Sequence, residues 1–278
     1  LASRVRAIAG GLNSLGLKRG DTISMLMNNR SDFIPTDLAA VSLGAVPFSV
    51  YQTSSPDQLD YLLRDSAASV IVIEPDFLPV LSEIKDGLPD LKHVIVLGDD
   101  GGTMTYEELL TADPDFDPLP IASQVGLGDP LTLIYTSGTT GPPKGVTLTH
   151  GNLMRAMTSV MDGVMNLPDT DARVISWLPA AHIAERGANY YSAMIAGFTV
   201  HICPDPKRVI EFLPKVRPTW FFAVPRIWEK LKAGLEGMLA GLPDEQREKA
   251  QGGLDAAIQK VRLEQQGKEV PAEIAAAA

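Results

Sequence analysis

The first part of the chain alternates short apolar runs with stretches whose apolar positions recur every three to four residues. Leu1, Val5, Ile8, Ala9 and Leu12 fall on one helical face and Gly16 ends the pattern, so residues 1–16 read as an amphipathic helix. Asp21–Met27 reads as a strand, Ser31–Leu43 as a helix with Ser31 at its N-cap, and Ala45–Val50 as a strand. Ser55 caps and Pro56 opens a helix over Asp57–Asp65, because proline lacks only an N–H that the first turn leaves unpaired anyway. Ala68–Ile73 is a strand rich in β-branched residues, Phe77–Ile84 a helix, and His93–Leu97 a strand. Such alternation implies βαβ units, hence an α/β fold whose mainly parallel sheet is covered by helices on both faces.

The rhythm breaks at Asp113–Asp129, which is rich in Pro, Asp and Gly and reads as a connection between subdomains. Strands at Leu131–Ile134 and Val146–Thr149 follow, then a helix at Asn152–Met165, a strand at Val174–Trp177 and a helix at Ile183–Ala196. Phe198–Cys203 and Trp220–Val224 complete the expected strands. From Pro225 the character is helical: Arg226–Ala240 and Glu245–Gln266, separated by Gly241-Leu-Pro243, read as a C-terminal helical hairpin. The expected organisation is a first α/β subdomain over 1–112, a connection over 113–129, a second α/β subdomain over 130–230 and a helical extension over 231–278.

Composition narrows the function classes. With 45% hydrophobic and 21% charged residues over 278 positions, the chain can bury a large core. A net charge of −10 argues against nonspecific nucleic-acid binding, which needs a basic face. The single cysteine, Cys203, excludes an internal disulfide and fits a reducing compartment. It shares a strand face with His201, but no further ligand lies nearby, so no metal site is read there. No apolar run reaches the length of a membrane span. The start at Leu1, inside a helical pattern, suggests a fragment.

The candidate chemistry sits in Tyr135-Thr-Ser-Gly-Thr-Thr-Gly-Pro-Pro-Lys-Gly145, between two strands. Its glycines allow a backbone nest of N–H groups, its Thr and Ser residues add hydroxyl donors, and Lys144 adds a cation. That inventory suits a phosphate loop. It is not a Walker A loop, because Gly145 rather than Ser or Thr follows Lys144. The stretch resembles the signature of the adenylate-forming enzymes, Tyr-Thr-Ser-Gly-Thr-Thr-Gly-x-Pro-Lys-Gly-Val, and residues 135–146 match it throughout. The resemblance implies that Thr136, Ser137, Gly138, Thr139, Thr140, Gly141 and Lys144 bind the phosphates of ATP.

Two further stretches sharpen the likeness. Trp177-Leu-Pro-Ala-Ala-His-Ile-Ala-Glu-Arg186 resembles the Leu-Pro and His-x-x-Glu-Arg pattern of the long-chain acyl-CoA synthetases. By that resemblance His182 is the catalytic candidate, beside the acyl carboxylate and the α-phosphate; a structural histidine is the plainer reading. Arg186 is left open between a local pair with Glu185 and a contact across domains. Phe221-Phe-Ala-Val-Pro-Arg-Ile-Trp-Glu-Lys230 resembles the family's Val-Pro-Arg segment, which makes Phe222 and Val224 acyl-site candidates. Leu43–Phe48 with Ser54-Ser-Pro56 also resembles a family stretch and is given no catalytic role.

The resemblance runs from about Val5 to about Lys230 and implies a long-chain fatty acid–CoA ligase. It brings ATP and Mg²⁺ as cofactors and coenzyme A as co-substrate, with a cytoplasmic setting that leaves room for peripheral contact on the inner membrane face and for a homodimer. The family's Glu that holds Mg²⁺, its ribose-binding Gly-Asp segment and its C-terminal domain have no counterpart here, so the chain is expected to be an incomplete, inactive part. Another adenylate-forming ligase, of fatty acyl-AMP or aryl-acid type, and a non-catalytic nucleotide-binding module stand as alternatives.

Overall fold

The computed structural model describes residues 1–98, 104–136, 141–163 and 171–278, in two units, Leu1–Phe221 and Phe222–Ala278. In the first unit α1 (Ala2–Ser14), β1 (Thr22–Leu26), α2 (Phe33–Ser42), β2 (Val46–Ser49), α3 (Pro56–Asp65), β3 (Val70–Ile73), α4 (Leu78–Ser82), β4 (His93–Val96), β5 (Met104–Thr105) and α5 (Tyr106–Ala112) follow in order. The five strands form one parallel sheet in the order β2-β1-β3-β4-β5. Residues of β3 alternate between two cores: Val70 and Val72 meet Ile8 and Leu12 of α1 and Phe33 of α2, while Ile71 and Ile73 meet Leu59 and Leu63 of α3. Burial on both faces is what a continuous β-branched run requires, as expected.

Strand order reverses between β1 and β3, the place where doubly wound sheets open a crevice. Here Glu74, just past β3, accepts from the backbone N–H and the side chain of Asn28 and from Arg30 (2.7 Å). Arg30 and Arg4 both bond Asp32. This engagement also corrects the expected cap of α2. Its N-cap is Asp32, with no side-chain cap bond, and Ser31 lies outside, because the Asp32 carboxylate is held by the two arginines. The cap of α3 is as read: Ser55 and Gln58 form a reciprocal capping box, with Pro56 in the first turn.

β5 and α5 escaped the reading of the sequence, although Thr105 and Glu108 form a second capping box. Helix α5 lies against α1 at Gly10 and Gly11, where an added Cβ would stand 1.9 Å from the Asp113 carbonyl and 2.2 Å from that of Leu109. The connection then carries one short helix, α6 (Leu119–Ala122).

β6 (Pro130–Thr136) and β7 (Lys144–Thr149) form an antiparallel hairpin, the exception to the parallel pattern. α7 (His150–Gly163) starts earlier than expected because Thr149 and Asn152 bond each other reciprocally; its expected end at Met165 lies outside the described residues. β8 (Arg173–Ser176) pairs in parallel with β9 (Thr199–Ile202). Between them run α8 (Ile183–Glu185), a π-helical stretch over Arg186–Tyr191, and α9 (Ser192–Ala196). α10 (Val209–Val216) follows with Pro214 inside it, a residue that sequence reasoning treats as a helix end. The strand expected over Trp220–Val224 is absent from the described structure. Thr219 and Trp220 both donate to the Arg173 carbonyl, and one shared acceptor does not make a ladder.

The second unit consists of α11 (Pro225–Ala240), α12 (Asp244–Gln265) and a short α13 (Ala272–Ala277). The expected pair of long helices is present, with Pro225 at the first position of α11. No helix among the described residues is long and apolar enough to cross a membrane.

Candidate functional site

The hairpin sets the site. Tyr135 pairs with Gly145, and Thr136 with Lys144. A Cβ on Gly145 would stand 3.1 Å from the Tyr135 ring, so glycine there lets the ring lie across the opposite strand. The Tyr135 hydroxyl donates to Asp65 at the end of α3 (2.8 Å), and its ring lies 5.5 Å from that of Phe48. Burial first, and the Asp65 carboxylate second, push the phenol pKa upward, so it stays a donor. With Tyr135 anchored, Thr136 and Lys144 face each other where the hairpin opens. Gly141 has φ +112°, a conformation suited to glycine. Lys144 is exposed and makes no ion pair among the described residues. Ser137, Gly138, Thr139 and Thr140 lie outside the described residues.

Thr136 opens onto a cavity of about 470 Å³. Tyr51, Thr53 and Ser54, on the crossover from β2 to α3, form one wall; Thr136 and Pro143 form a second; His182 and Ile183 form a third. Two candidate residues from distant parts of the sequence, Thr136 and His182, thus meet in one space. His182 is the N-cap of α8, and its Nδ1 accepts from the Ala184 N–H (3.1 Å). In the neutral ring that leaves the proton on Nε2, free to donate.

Behind His182 the chain buries two charged side chains in succession. Glu185 accepts at Oε2 from the Leu178 N–H (3.1 Å) and from Asn189 (3.0 Å). Burial pushes its carboxyl pKa up to about 7, against the pull of Ser176, Asn189 and the N–H groups of Leu178 and Trp177. Arg186 makes the long contact rather than the local one. It is fully buried and bonds Asp37 of α2, the Tyr191 hydroxyl and the Thr132 hydroxyl. Burial works against this cation, but Asp37 and Tyr191 outweigh it and the pKa rises.

The crossover residues carry no assignment from the sequence, although Ser54-Ser-Pro56 belongs to a stretch that resembles the family. Asp37, Thr132 and Tyr191 carry no local signal at all. Phe222 and Val224 belong to the second unit, and Val224 is exposed. Cys203 is buried, its thiol donating to the Asp205 carbonyl (3.1 Å). Mg²⁺, implied by the resemblance, does not fit the residues present. Among the described residues no Asp or Glu lines the cavity, and no group of three His, Cys, Asp or Glu could hold a metal.

The sequence matches the family described as AMP-binding enzyme over residues 1–276. The chain belongs to that family. It is 33% identical over 237 residues to a long-chain-fatty-acid–CoA ligase of Mycobacterium bovis, covering 83% of this chain and 39% of the relative. A long-chain-fatty-acid–CoA ligase of Xenopus laevis is 31% identical over 247 residues, covering 84% and 33%. The chain thus spans well under half the length of these relatives. Among solved structures, an anthranilate CoA ligase in complex with anthranoyl-AMP superposes with a TM-score of 0.73 at 24% identity, over 80% of this chain and 43% of that one. ATP-bound MatB from Rhodopseudomonas palustris gives 0.64 at 24% identity, over 77% and 41%. The two structures share the fold of this chain.

Proposed function

We propose that this chain supplies the triphosphate-gripping part of a ligase that activates a long-chain fatty acid with ATP and passes it to coenzyme A. The carboxylate attacks the α-phosphorus and pyrophosphate leaves; the thiol then attacks the acyl carbon and AMP leaves. The observation that supports this reading is the meeting of Thr136, beside Lys144 on the hairpin, with His182 in one cavity. Lys144 and the loop donors would take the charge of the departing pyrophosphate. His182, donating from Nε2, would meet charge developing on an acyl or α-phosphate oxygen. Phe222 and Val224 stay acyl-contact candidates by resemblance alone.

A triphosphate held by one lysine, hydroxyls and backbone donors competes with its own hydration, so binding by residues 1–278 should be weak and turnover absent. The test incubates the purified chain with palmitate, ATP, Mg²⁺ and coenzyme A and follows AMP release, with pyrophosphate binding measured by calorimetry. Weak binding without turnover is expected. No saturable pyrophosphate binding would remove the phosphate-loop reading, and sustained turnover would remove the claim that this part is inactive alone.

A further inference from the structure

We propose that Arg186 is a positioning residue, a buried fork that sets the spacing of the three walls of the cavity. Each wall connects to its guanidinium. The hairpin wall connects through Thr132 on β6, whose hydroxyl accepts from Arg186 four residues before Thr136. The crossover wall connects through the same hydroxyl, which donates to the Pro47 carbonyl on β2 at 2.6 Å. Pro47 stands four residues before Tyr51. The His182 wall connects through the chain itself, one helical turn before Arg186. Asp37 of α2 fixes the other edge of the fork, and Tyr191 both accepts from Arg186 and donates to Asp37 (3.0 Å).

The local backbone is shaped to this contact. Arg186 and Tyr191 are five residues apart, a spacing that an α-helix turns to different faces and a π-helix brings close to one. The Ser192 hydroxyl bonds the Gly187 carbonyl with the same five-residue offset (2.7 Å). Rings of Phe33 and Tyr191 lie against the guanidinium, at 5.8 and 5.4 Å. A planar fork can serve two hydroxyls and a carboxylate together; a lysine ammonium is a point charge and cannot keep that geometry. A merely structural ion pair would need Asp37 alone. The branch through Thr132 to Pro47 adds nothing to neutralising the charge, and it is the branch that reaches two cavity walls.

The test cuts that branch. Thr132→Val removes the hydroxyl at nearly constant volume and leaves Arg186, Asp37 and Tyr191 paired. Two readouts are taken on the 278-residue chain: the His182 ring and Gly141 amide signals by NMR, and the affinity for inorganic pyrophosphate by calorimetry. T132V is expected to keep a cooperative melt, to shift both NMR signals and to weaken pyrophosphate about three- to tenfold, the range of one hydrogen bond. Arg186→Lys is expected to do the same, and the double variant to be no weaker than the poorer single, because both cut one path. Unmoved NMR signals in a folded T132V overturn the proposal, as does unchanged affinity or an additive double variant. The affinity arm rests on the proposed function, whereas the NMR arm does not. If the unaltered chain binds no pyrophosphate, the functional reading falls and the His182 and Gly141 signals still decide the role of Arg186.

Discussion

The ring of Tyr135 occupies, across the hairpin, the space that a side chain at position 145 would need. The glycine that closes the motif is therefore a steric partner of the tyrosine that opens it, and the two sit opposite each other on the paired strands. Gly145→Val should lower the melting temperature and pyrophosphate affinity together. Tyr135→Ala in the same chain should restore part of the melting temperature by vacating the space. Thermal melts of the two single variants and the double variant check this, and a double variant no better than G145V would remove the steric account.

Lys144→Ala should weaken pyrophosphate roughly 10- to 150-fold, the loss expected for one charge-assisted donor. Thr136→Ala should cost less, since a neutral hydroxyl gives about half the strength of a charged donor. Calorimetric titration of both variants measures this. Because Lys144 is exposed, its melt should stay unchanged.

Glu185 gives the chain a definite pH response. Its pKa, raised by burial to about 7 from a model-compound 4.5, means that the folded protein keeps a proton which the unfolded chain has released. Stability therefore falls as pH rises from about 4.5 to about 7 and levels off above, by up to about 3 kcal/mol. Glu185→Gln has no such proton to lose. The melting temperature of E185Q relative to the unaltered chain should rise between pH 5 and pH 8, and parallel curves would contradict the burial argument.

The two serines read as caps should separate cleanly. Ser55→Ala removes a capping-box acceptor of α3 and should cost about 1 kcal/mol in denaturant unfolding. Ser31→Ala should be silent, because Ser31 is exposed and lies outside α2.

What the sequence made legible was local. The strand runs at Val70–Ile73 and His93–Val96 declared themselves through continuous apolar residues, and Ser55 through its place before Pro56. The loop's flanking strands show as an apolar run and an alternating run, and His182 stands out as a candidate through the resemblance of its motif. Contacts between distant segments were not legible. Asp37 reads as one polar position in a helix, and nothing nearby says that Arg186 will meet it. Ser31 looked like a cap because its neighbour Asp32 gave no sign of being claimed by Arg4 and Arg30. Trp220–Val224 has strand composition, yet it forms no strand; the Trp220 N–H goes to the Arg173 carbonyl and the Ala223 carbonyl accepts from the Trp228 indole. The π-helical turn has no sequence signature of its own; it follows from what Arg186 and Tyr191 must reach together.

Open doubly wound sheets receive their ligands where the strand order reverses, beyond the carboxyl ends of the strands. In this chain that berth is filled from within, by Glu74 and Asp32 locked to Arg30 and Arg4. The sheet has become foundation instead of harbour. A ligand sought by the general habit of the fold would be sought between β1 and β3, whereas the cavity opens past the end of β2, and substitutions at that plugged crevice should read as losses of solubility or yield rather than of affinity.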